Sequence, residues 1–163
     1  MSELQISEFD RVVDNYQQQH QDSVRLSGES VEYFARYKID KVAALLGPER
    51  NNVHRIMDFG AGIGNSLPHL RKNFPDSKIT ALDVSFESLK KCDALAFNTV
   101  ETQLYDGTTI PCEDEQVDLV FTACVFHHID QADHIHLLAE IRRVLKPGGR
   151  FFLFEHNPWN PLT

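Results

Sequence analysis

Five short segments with the residue pattern of β-strands, separated by helix-length connections, limit what this sequence can fold into. They span residues 53–59, 78–82, 100–105, 117–122 and 150–155. Strands that alternate with helix-length segments form right-handed crossovers, which align the strands in parallel and place helices on both faces of the sheet. The sequence therefore predicts an α/β fold with a doubly wound, mostly parallel sheet of about five strands, preceded by an N-terminal helical segment.

Apolar residues at three- and four-residue steps predict helices over residues 29–46, 65–73, 85–97 and 131–145. Ser85 and Asp130 stand where N-caps of the last two helices would lie. Residues 147–149, Pro-Gly-Gly, predict a turn before the fifth strand. The apolar residues expected to face the core are, in the first helix, Val31, Phe34, Ile39, Val42, Leu45 and Leu46, in the third Phe86, Leu89 and Leu95, and in the last Ile135, Leu138, Ile141, Val144 and Leu145.

The chain length indicates the number of domains, and the net charge bears on the class of partner. The 163 residues lack an obvious linker and predict one domain over 1–163, with an N-terminal helical cap over 1–47 and a ligand-binding core over 53–156. A net charge of −8 disfavours nucleic acid as a partner, because phosphate binding needs basic patches. No apolar run predicts a membrane segment. Three cysteines without a CxxC pair predict reduced thiols and a cytoplasmic location.

The loop after the first strand reads Asp-Phe-Gly-Ala-Gly-Ile-Gly-Asn over residues 58–65. In doubly wound sheets, ligands bind beyond the carboxyl ends of the strands. Glycines at alternate positions allow a sharp turn and let a ligand lie directly against the backbone. A turn alone does not need Gly60, Gly62 and Gly64 together, so we expect a ligand at this loop.

Asp83 ends the second strand, 19 residues after Gly64, where dinucleotide-binding folds place the acid that binds ribose hydroxyls. The ligand is therefore expected to carry an adenosine-type ribose, as in nicotinamide dinucleotides or S-adenosylmethionine. The third glycine comes one residue earlier than in G-x-G-x-x-G. Asp58 would also repel a pyrophosphate, whereas it suits the cationic amino group of a methionine.

At this point the sequence resembles the class I S-adenosylmethionine-dependent methyltransferases, whose fold is a Rossmann-like sheet. Five motifs follow the family's order over about residues 53–155, namely 56–64, 82–85, 105–111, 117–129 and 145–150. The resemblance implies that Asp83 holds the ribose hydroxyls, that Asp58 faces the amino group and that Asp106 bonds the adenine amino group. The full set of expected cofactor-binding residues is Asp58, Gly60, Ala61, Gly62, Gly64, Asp83, Val84, Asp106, Gly107, Thr122 and Ala123.

Methyl transfer from a sulfonium is an in-line displacement, so the protein mainly has to align the acceptor and exclude water. The expected reaction uses S-adenosylmethionine, releases S-adenosylhomocysteine and methylates a small-molecule acceptor. His127, in the loop after the fourth strand, is the candidate general base. No metal site is expected, because His134 and His136 lie two residues apart on a predicted helix and point to different faces. Tyr16 and His20 are candidates for an N-terminal lid over the cofactor.

Members of this family continue past the fifth strand with a helix and two further strands. The fifth strand of this sequence is therefore expected at the edge of the sheet, where self-association with a second copy would cover it. Two alternatives remain at this point. The chain could be a non-catalytic module that binds S-adenosylmethionine or another partner, or, less in keeping with Asp58 and the glycine spacing, a nicotinamide-dependent oxidoreductase.

Overall fold

The computed structural model describes residues 30–95 and 97–155, which form a five-stranded parallel sheet with helices on both faces. The helices are α1 (Val31–Leu46), α2 (Leu67–Asn73), α3 (Phe86–Ala94) and α4 (Gln131–Val144). The strands are β1 (Arg55–Phe59), β2 (Lys78–Asp83), β3 (Val100–Leu104), β4 (Val117–Ala123) and β5 (Leu145–Phe154). The strand order β3-β2-β1-β4-β5 confirms the predicted doubly wound class.

The order of the strands reverses at β1. The chain moves outward from β1 through β2 to β3 and then returns to place β4 on the other side of β1. The connections leaving β1 and β4 consequently diverge and open a crevice at the carboxyl edge of the sheet, which is the usual ligand site in such folds.

Two apolar cores cover the two faces of the sheet. On one face, helices α1, α2 and α3 pack against the strands through residues that include Ile39, Val42, Leu70, Ile56, Ile79 and Phe121. On the other face, α4 and the connection between β3 and β4 contribute Leu137, Ile141, Ile110 and Tyr105 against Met57, Leu82 and Val120. The β3–β4 connection contains no helix in the structure, so a loop covers that part of the sheet.

Several of the predicted apolar stripes are wrong in detail. Ile135 is 81% exposed and Leu138 is also exposed, whereas Leu137 is fully buried and forms the inner face of α4 with Ile141 and Val144. A helix with this many aliphatic residues offers two overlapping stripes, and only tertiary packing selects one. Leu45 of α1, Phe86 at the start of α3 and Leu95 just after it are likewise exposed.

The helix caps and the last turn give a mixed result. Ser85 caps α3 as predicted, since its Oγ accepts from the Ser88 amide at 3.1 Å. Asp130 occupies the N-cap position of α4 as predicted, but its side chain makes no capping bond to the described backbone, and its carbonyl accepts from the Asp133 amide. Residues 147–149 lie inside β5 rather than before it. They form a bulge in which β5 advances five residues while β4 advances two.

Asp118, near the start of β4, ties the two halves of the sheet together at its amino-terminal edge. Its Oδ2 accepts from the backbone amides of His54 and Arg55 at 3.0 and 2.8 Å, just at the start of β1. Its Oδ1 accepts from Lys146 Nζ of β5 at 2.7 Å. One carboxylate therefore links β4 to the strands on both sides of it.

The N-terminal cap predicted over residues 1–47 is described from residue 30, where α1 begins one residue later. The suggested lid residues Tyr16 and His20 lie outside the described residues. None of the helices in residues 30–95 and 97–155 is long and apolar enough to cross a membrane.

Candidate functional site

The carboxyl edge of the sheet brings the predicted site residues together. Because β1, β2, β3 and β4 are adjacent and parallel, the residues at their ends meet at one side of the molecule. Asp58, the next-to-last residue of β1, and Asp83, the last residue of β2, point to the same face of the sheet, close enough that the charge of Asp83 raises the pKa of Asp58. Asp106 follows β3, and Thr122 and Ala123 end β4.

The glycine loop is fastened to the end of β2. The amides of Gly60 and Ala61 both donate to the carbonyl of Leu82, at 2.8 and 3.0 Å, and the Gly64 amide closes a turn on Ala61 at 3.0 Å. Gly60, Gly62 and Gly64 all have positive φ, at 73°, 54° and 84°. This left-handed backbone favours glycine and explains why the loop carries three.

The space around the three glycines differs. A Cβ on Gly60 would overlap Val125 Cγ2, and one on Gly64 would lie 2.9 Å from Leu67 Cδ1. A Cβ on Gly62 would meet no described atom within 4 Å. Gly60 and Gly64 are thus also required by packing within the protein, whereas Gly62 faces open space in which a ligand could contact the backbone.

Asp83 is held in place by backbone donors on both of its oxygens. Oδ2 accepts from the Gly62 amide at 2.7 Å, and Oδ1 accepts from the Ser85 amide at 2.9 Å. These two bonds fix the plane of the carboxylate beside the glycine loop, as recognition of a ribose diol requires.

Asp58 is a buried carboxyl group with an unsatisfied oxygen. It is 2% exposed, and its Oδ2 receives no hydrogen bond from the described residues. Burial, together with the charge of Asp83, raises the pKa of Asp58 to about 7. A buried polar atom without a partner is costly, so a cationic donor such as the amino group of a methionine fits this position.

Asp106 lies at the exposed end of β3 and organises the turn that follows. Its Oδ1 accepts from the amides of Thr109 and Thr108 and from the Thr108 hydroxyl, each at 2.8 Å. These bonds, led by that from the Thr109 amide, lower the pKa of Asp106 and keep it ionised. Gly107 has a φ of +83° at the same turn. A donor such as an adenine amino group would have to approach the Oδ2 side of this carboxylate.

The end of β4 turns sharply. Cys124 has a φ of +60°, which is uncommon for a residue other than glycine, and its Sγ lies 3.4 Å from Lys38 Nζ of α1. Thr122 is fully buried, and its Oγ1 has no hydrogen-bond partner among the described residues. Backbone strain such as that at Cys124 is concentrated at functional sites in proteins.

Glu155 forms hydrogen bonds with the loop after β4, although the sequence did not predict it as a site residue. Its Oε1 accepts from the amides of Val125 and Phe126, both at 2.8 Å, and its Oε2 lies 2.8 Å from His127 Nδ1. Glu155 directly follows β5, so the rule that directs attention to strand ends could have identified it. Cys92 was also missed: its thiol donates to the Gly62 carbonyl at 3.1 Å, and no sequence signal predicts this contact.

Two histidines of α4, His134 and His136, contact backbone carbonyls. His134 Nε2 contacts the carbonyls of Phe126 and Ile129, and His136 Nε2 contacts the carbonyl of Thr108. Within the described part of the chain, no three His, Cys, Asp or Glu side chains lie close enough to hold a metal ion.

Residues 57–153 match a protein family described as a methyltransferase domain. A 105-residue segment is 27% identical to the ubiquinone/menaquinone biosynthesis C-methyltransferase UbiE of Desulfotalea psychrophila, and covers 64% of this chain and 42% of that protein. Another segment, of 130 residues, is 29% identical to ribosomal RNA small subunit methyltransferase C of Pseudomonas entomophila, and covers 76% of this chain and 39% of that protein.

Among solved structures, a SAM dependent methyltransferase from Aquifex aeolicus resembles the chain with a TM-score of 0.59 and 25% identity, over 77% of each chain. The chain spans less than half the length of the two curated relatives named above. One of those relatives is named for ribosomal RNA, so the comparison does not support the expectation that nucleic acid is excluded as a partner.

Proposed function

Since this chain belongs to the class I S-adenosylmethionine-dependent methyltransferase family, we propose that it transfers a methyl group from S-adenosylmethionine to a small-molecule acceptor. One observation carries the proposal: the unsatisfied, buried Oδ2 of Asp58 lies at the carboxyl edge of the sheet beside a glycine loop that is open at Gly62. A ligand with a cationic amino group and a ribose suits both features.

Each group at the edge then has a part in binding. Asp83, fixed by two backbone amides, would hold the ribose hydroxyls, and Asp58 would accept from the amino group. Gly60 and Gly62, with Ala61 and Gly64, would line the methionine and ribose portion. Val84, Asp106 and Gly107 would surround the adenine, and Thr122 and Ala123 would line the methionine end.

The bound cofactor supplies a methyl group that is already activated on a sulfonium. The chain's own residues have to orient the acceptor and, where the acceptor loses a proton, remove it. His127 is our candidate for that proton transfer, because it lies on the loop between β4 and α4. A small metabolite agrees with the net charge of −8, since an RNA acceptor would need a basic surface.

Calorimetric titration of S-adenosylhomocysteine tests the proposal directly. We expect saturable binding by the wild-type chain, at least a tenfold weaker association by Asp83→Ala, and unchanged binding by the exposed control Asp76→Ala. A folded wild-type chain that binds neither S-adenosylhomocysteine nor S-adenosylmethionine would overturn the proposal. Displacement by NADH would favour the nicotinamide alternative, and binding without methyl transfer to any acceptor class would favour the non-catalytic module.

We further propose that residues 1–163 act as one domain, with a helical cap over 1–47 and the cofactor-binding core over 53–156. A cytoplasmic location is supported by Cys92, Cys112 and Cys124, all of which are free thiols. Self-association through β5 is supported by the position of that strand at the edge of the described sheet.

A further inference from the structure

The first half of helix α1 lies at the carboxyl edge of the sheet, beside the candidate site. Glu49, just after the end of α1, pairs with Arg150, which is the partner of Leu119 in the first half of β4. Lys38, about half-way along α1, reaches the residue directly after β4, with its Nζ 3.4 Å from Cys124 Sγ. The helix therefore runs in the direction opposite to β4, and the residues that precede Lys38 lie toward the site.

Lys38 is a half-buried cation without a carboxylate partner. In the part of the chain that the structure describes, its ammonium group has no acidic side chain within ion-pairing distance and donates only to the sulfur of Cys124. A cysteine sulfur is a weak hydrogen-bond acceptor, so most of the donor capacity of Lys38 is unused. Partial burial of an ammonium group also costs free energy unless the group is paired, and an anionic ligand would pair it.

The ammonium group of Lys38 lies away from the position proposed for the amino group of the cofactor. Burial and the charge of Asp83 raise the pKa of Asp58, and Lys38 exerts no opposing effect on it. A cation close to Asp58 would lower that pKa. The carboxylate of a methionine is bonded to the same carbon as its amino group, so it too would lie away from Lys38. We therefore expect the anionic ligand group on the acceptor instead of on the cofactor.

Apolar side chains precede Lys38 on the same side of α1. Phe34 and Val31 stand one and two turns before Lys38, and both are half-buried. The ring of Phe34 packs edge-to-face against Tyr33, with a centroid distance of 5.5 Å. A cation next to apolar surface suits a ligand that carries an anionic group on an apolar body.

We propose that Lys38 is a specificity-determining residue that binds an anionic group, a carboxylate or a phosphate, of a small-molecule methyl acceptor. This inference rests on the proposed function and names the acceptor class for the same site. A lysine ammonium is a point charge that lacks the fork geometry of arginine, so both anions suit it. RNA also carries phosphates, but its binding requires several cations together, and a single lysine does not supply them.

Chemical-shift titration of the full chain saturated with S-adenosylhomocysteine tests the anion site. Benzoate and phenyl phosphate are the anionic probes, and benzamide is the neutral counterpart of benzoate. We expect saturable shifts of the Lys38 and Cys124 amides with at least one anion at millimolar concentration, and none with benzamide. The anion that binds more tightly identifies the class as carboxylate or phosphate. No binding by either anion, or equal binding by benzamide, would overturn the proposal.

Substitutions on α1 separate the charge of Lys38 from its contribution to packing. Lys38→Met removes the charge at similar length and should weaken anion binding about tenfold or more, whereas Lys38→Arg should retain it. The exposed Lys41→Met, one turn further along α1, is the matched control and should leave anion binding unchanged. Circular dichroism checks that each variant is folded.

Affinity for S-adenosylhomocysteine distinguishes this inference from the proposed function. We expect the same affinity in the wild type and in all three variants. Weaker binding of S-adenosylhomocysteine by Lys38→Met would assign the residue to the cofactor and overturn the acceptor role. A wild-type chain that does not bind S-adenosylhomocysteine would instead contradict the proposed function itself.

Labelled S-adenosylmethionine then tests the acceptor class against organic acids, phosphate monoesters, neutral amides, amines and an RNA oligonucleotide. We expect transfer to anionic small molecules, with KM raised about tenfold or more by Lys38→Met and with little change in kcat. Transfer confined to the neutral or cationic compounds or to RNA, or none to any anionic compound by a protein that binds S-adenosylhomocysteine, would overturn the acceptor class.

Discussion

Asp58 makes stability depend on pH at the scale of a single residue. Its pKa is raised from an ordinary value of 3.8 to about 7 by burial and by the charge of Asp83. The folded chain therefore binds more protons than the unfolded chain between about pH 4 and pH 7, and the free energy of unfolding falls as pH rises through this window. We expect Asp58→Asn to remove this decline, which is on the order of 4 kcal/mol.

Urea denaturation of the cofactor-free wild type and Asp58→Asn at about pH 5 and about pH 8 measures the difference. The variant should be the more stable protein at the higher pH, yet should bind S-adenosylhomocysteine more weakly because it lacks the anionic partner for the amino group. A wild type that gains stability relative to Asp58→Asn as pH rises would contradict the assigned shift.

Gly62 and Gly148 provide a matched pair, because both have positive φ and a Cβ on either would meet no described atom within 4 Å. Gly62→Ala and Gly148→Ala should each lose about 1–2 kcal/mol of stability from left-handed backbone strain. Only Gly62→Ala should also weaken S-adenosylhomocysteine binding, since its methyl group enters the open space beside Asp83. Thermal unfolding and calorimetry measure the two effects, and equal binding by both variants would remove Gly62 from the site.

Among the structural elements, the β3–β4 connection is a loop without a helix, so it has no helical hydrogen bonds of its own. Side-chain bonds from Arg143 hold this loop in place. The guanidinium of Arg143 donates to the carbonyls of Ile110 and Cys112 at 2.8 and 2.7 Å and to Glu140, which in turn accepts from the Ile110 amide. We expect Arg143→Leu to cost about 1–3 kcal/mol and to speed hydrogen exchange at the Ile110 amide. The neighbouring exposed Arg142→Leu serves as the control and should do neither.

The sequence pattern was sufficient for the strands, because β1, β2 and β4 are largely buried apolar runs and the mostly exposed β3 alternates in character. It failed for the faces of α4, where Ile135 and Leu137 are equally apolar and the choice between them depends on packing against β4 and the β3–β4 connection. The bulge in β5 was predicted as a turn, because the residues Pro-Gly-Gly are compatible with a turn between two elements and with a bulge inside a strand.

The site was predictable where a local pattern carries it. The glycine loop and Asp83 stand at a fixed spacing within one strand–helix–strand unit, so sequence alone could associate them. The contacts of Glu155 with His127 and of Cys92 with Gly62 join residues 28 and 30 positions apart. Only the paired strands and packed helices bring those residues together, and no local pattern records that.

For the whole molecule, the outer edge of β5 is unpaired within the described residues, and Leu153 on it is 47% exposed. We expect the purified chain to self-associate with increasing concentration, because an apolar edge recruits further strands. Leu153→Lys should shift the molecular mass measured by light scattering toward the monomer, and Glu101→Lys on the opposite edge strand should not. A wild-type chain that stays monomeric at high concentration would contradict this expectation.

The bonds of Asp118 across the sheet have a consequence for the order in which the chain folds. Strands β1, β2 and β3 follow one another in the chain and pair in that order. Strand β4 pairs with β1, from which β2 and β3 separate it in sequence, so closing this larger separation carries the larger entropic cost and this pairing should form last. The bonds of Asp118 to the His54 and Arg55 amides form only in that late step. Asp118→Asn should therefore speed unfolding with little change in the folding rate, which stopped-flow chevrons would show. A slower folding rate would place the joining of the two halves in the rate-limiting nucleus.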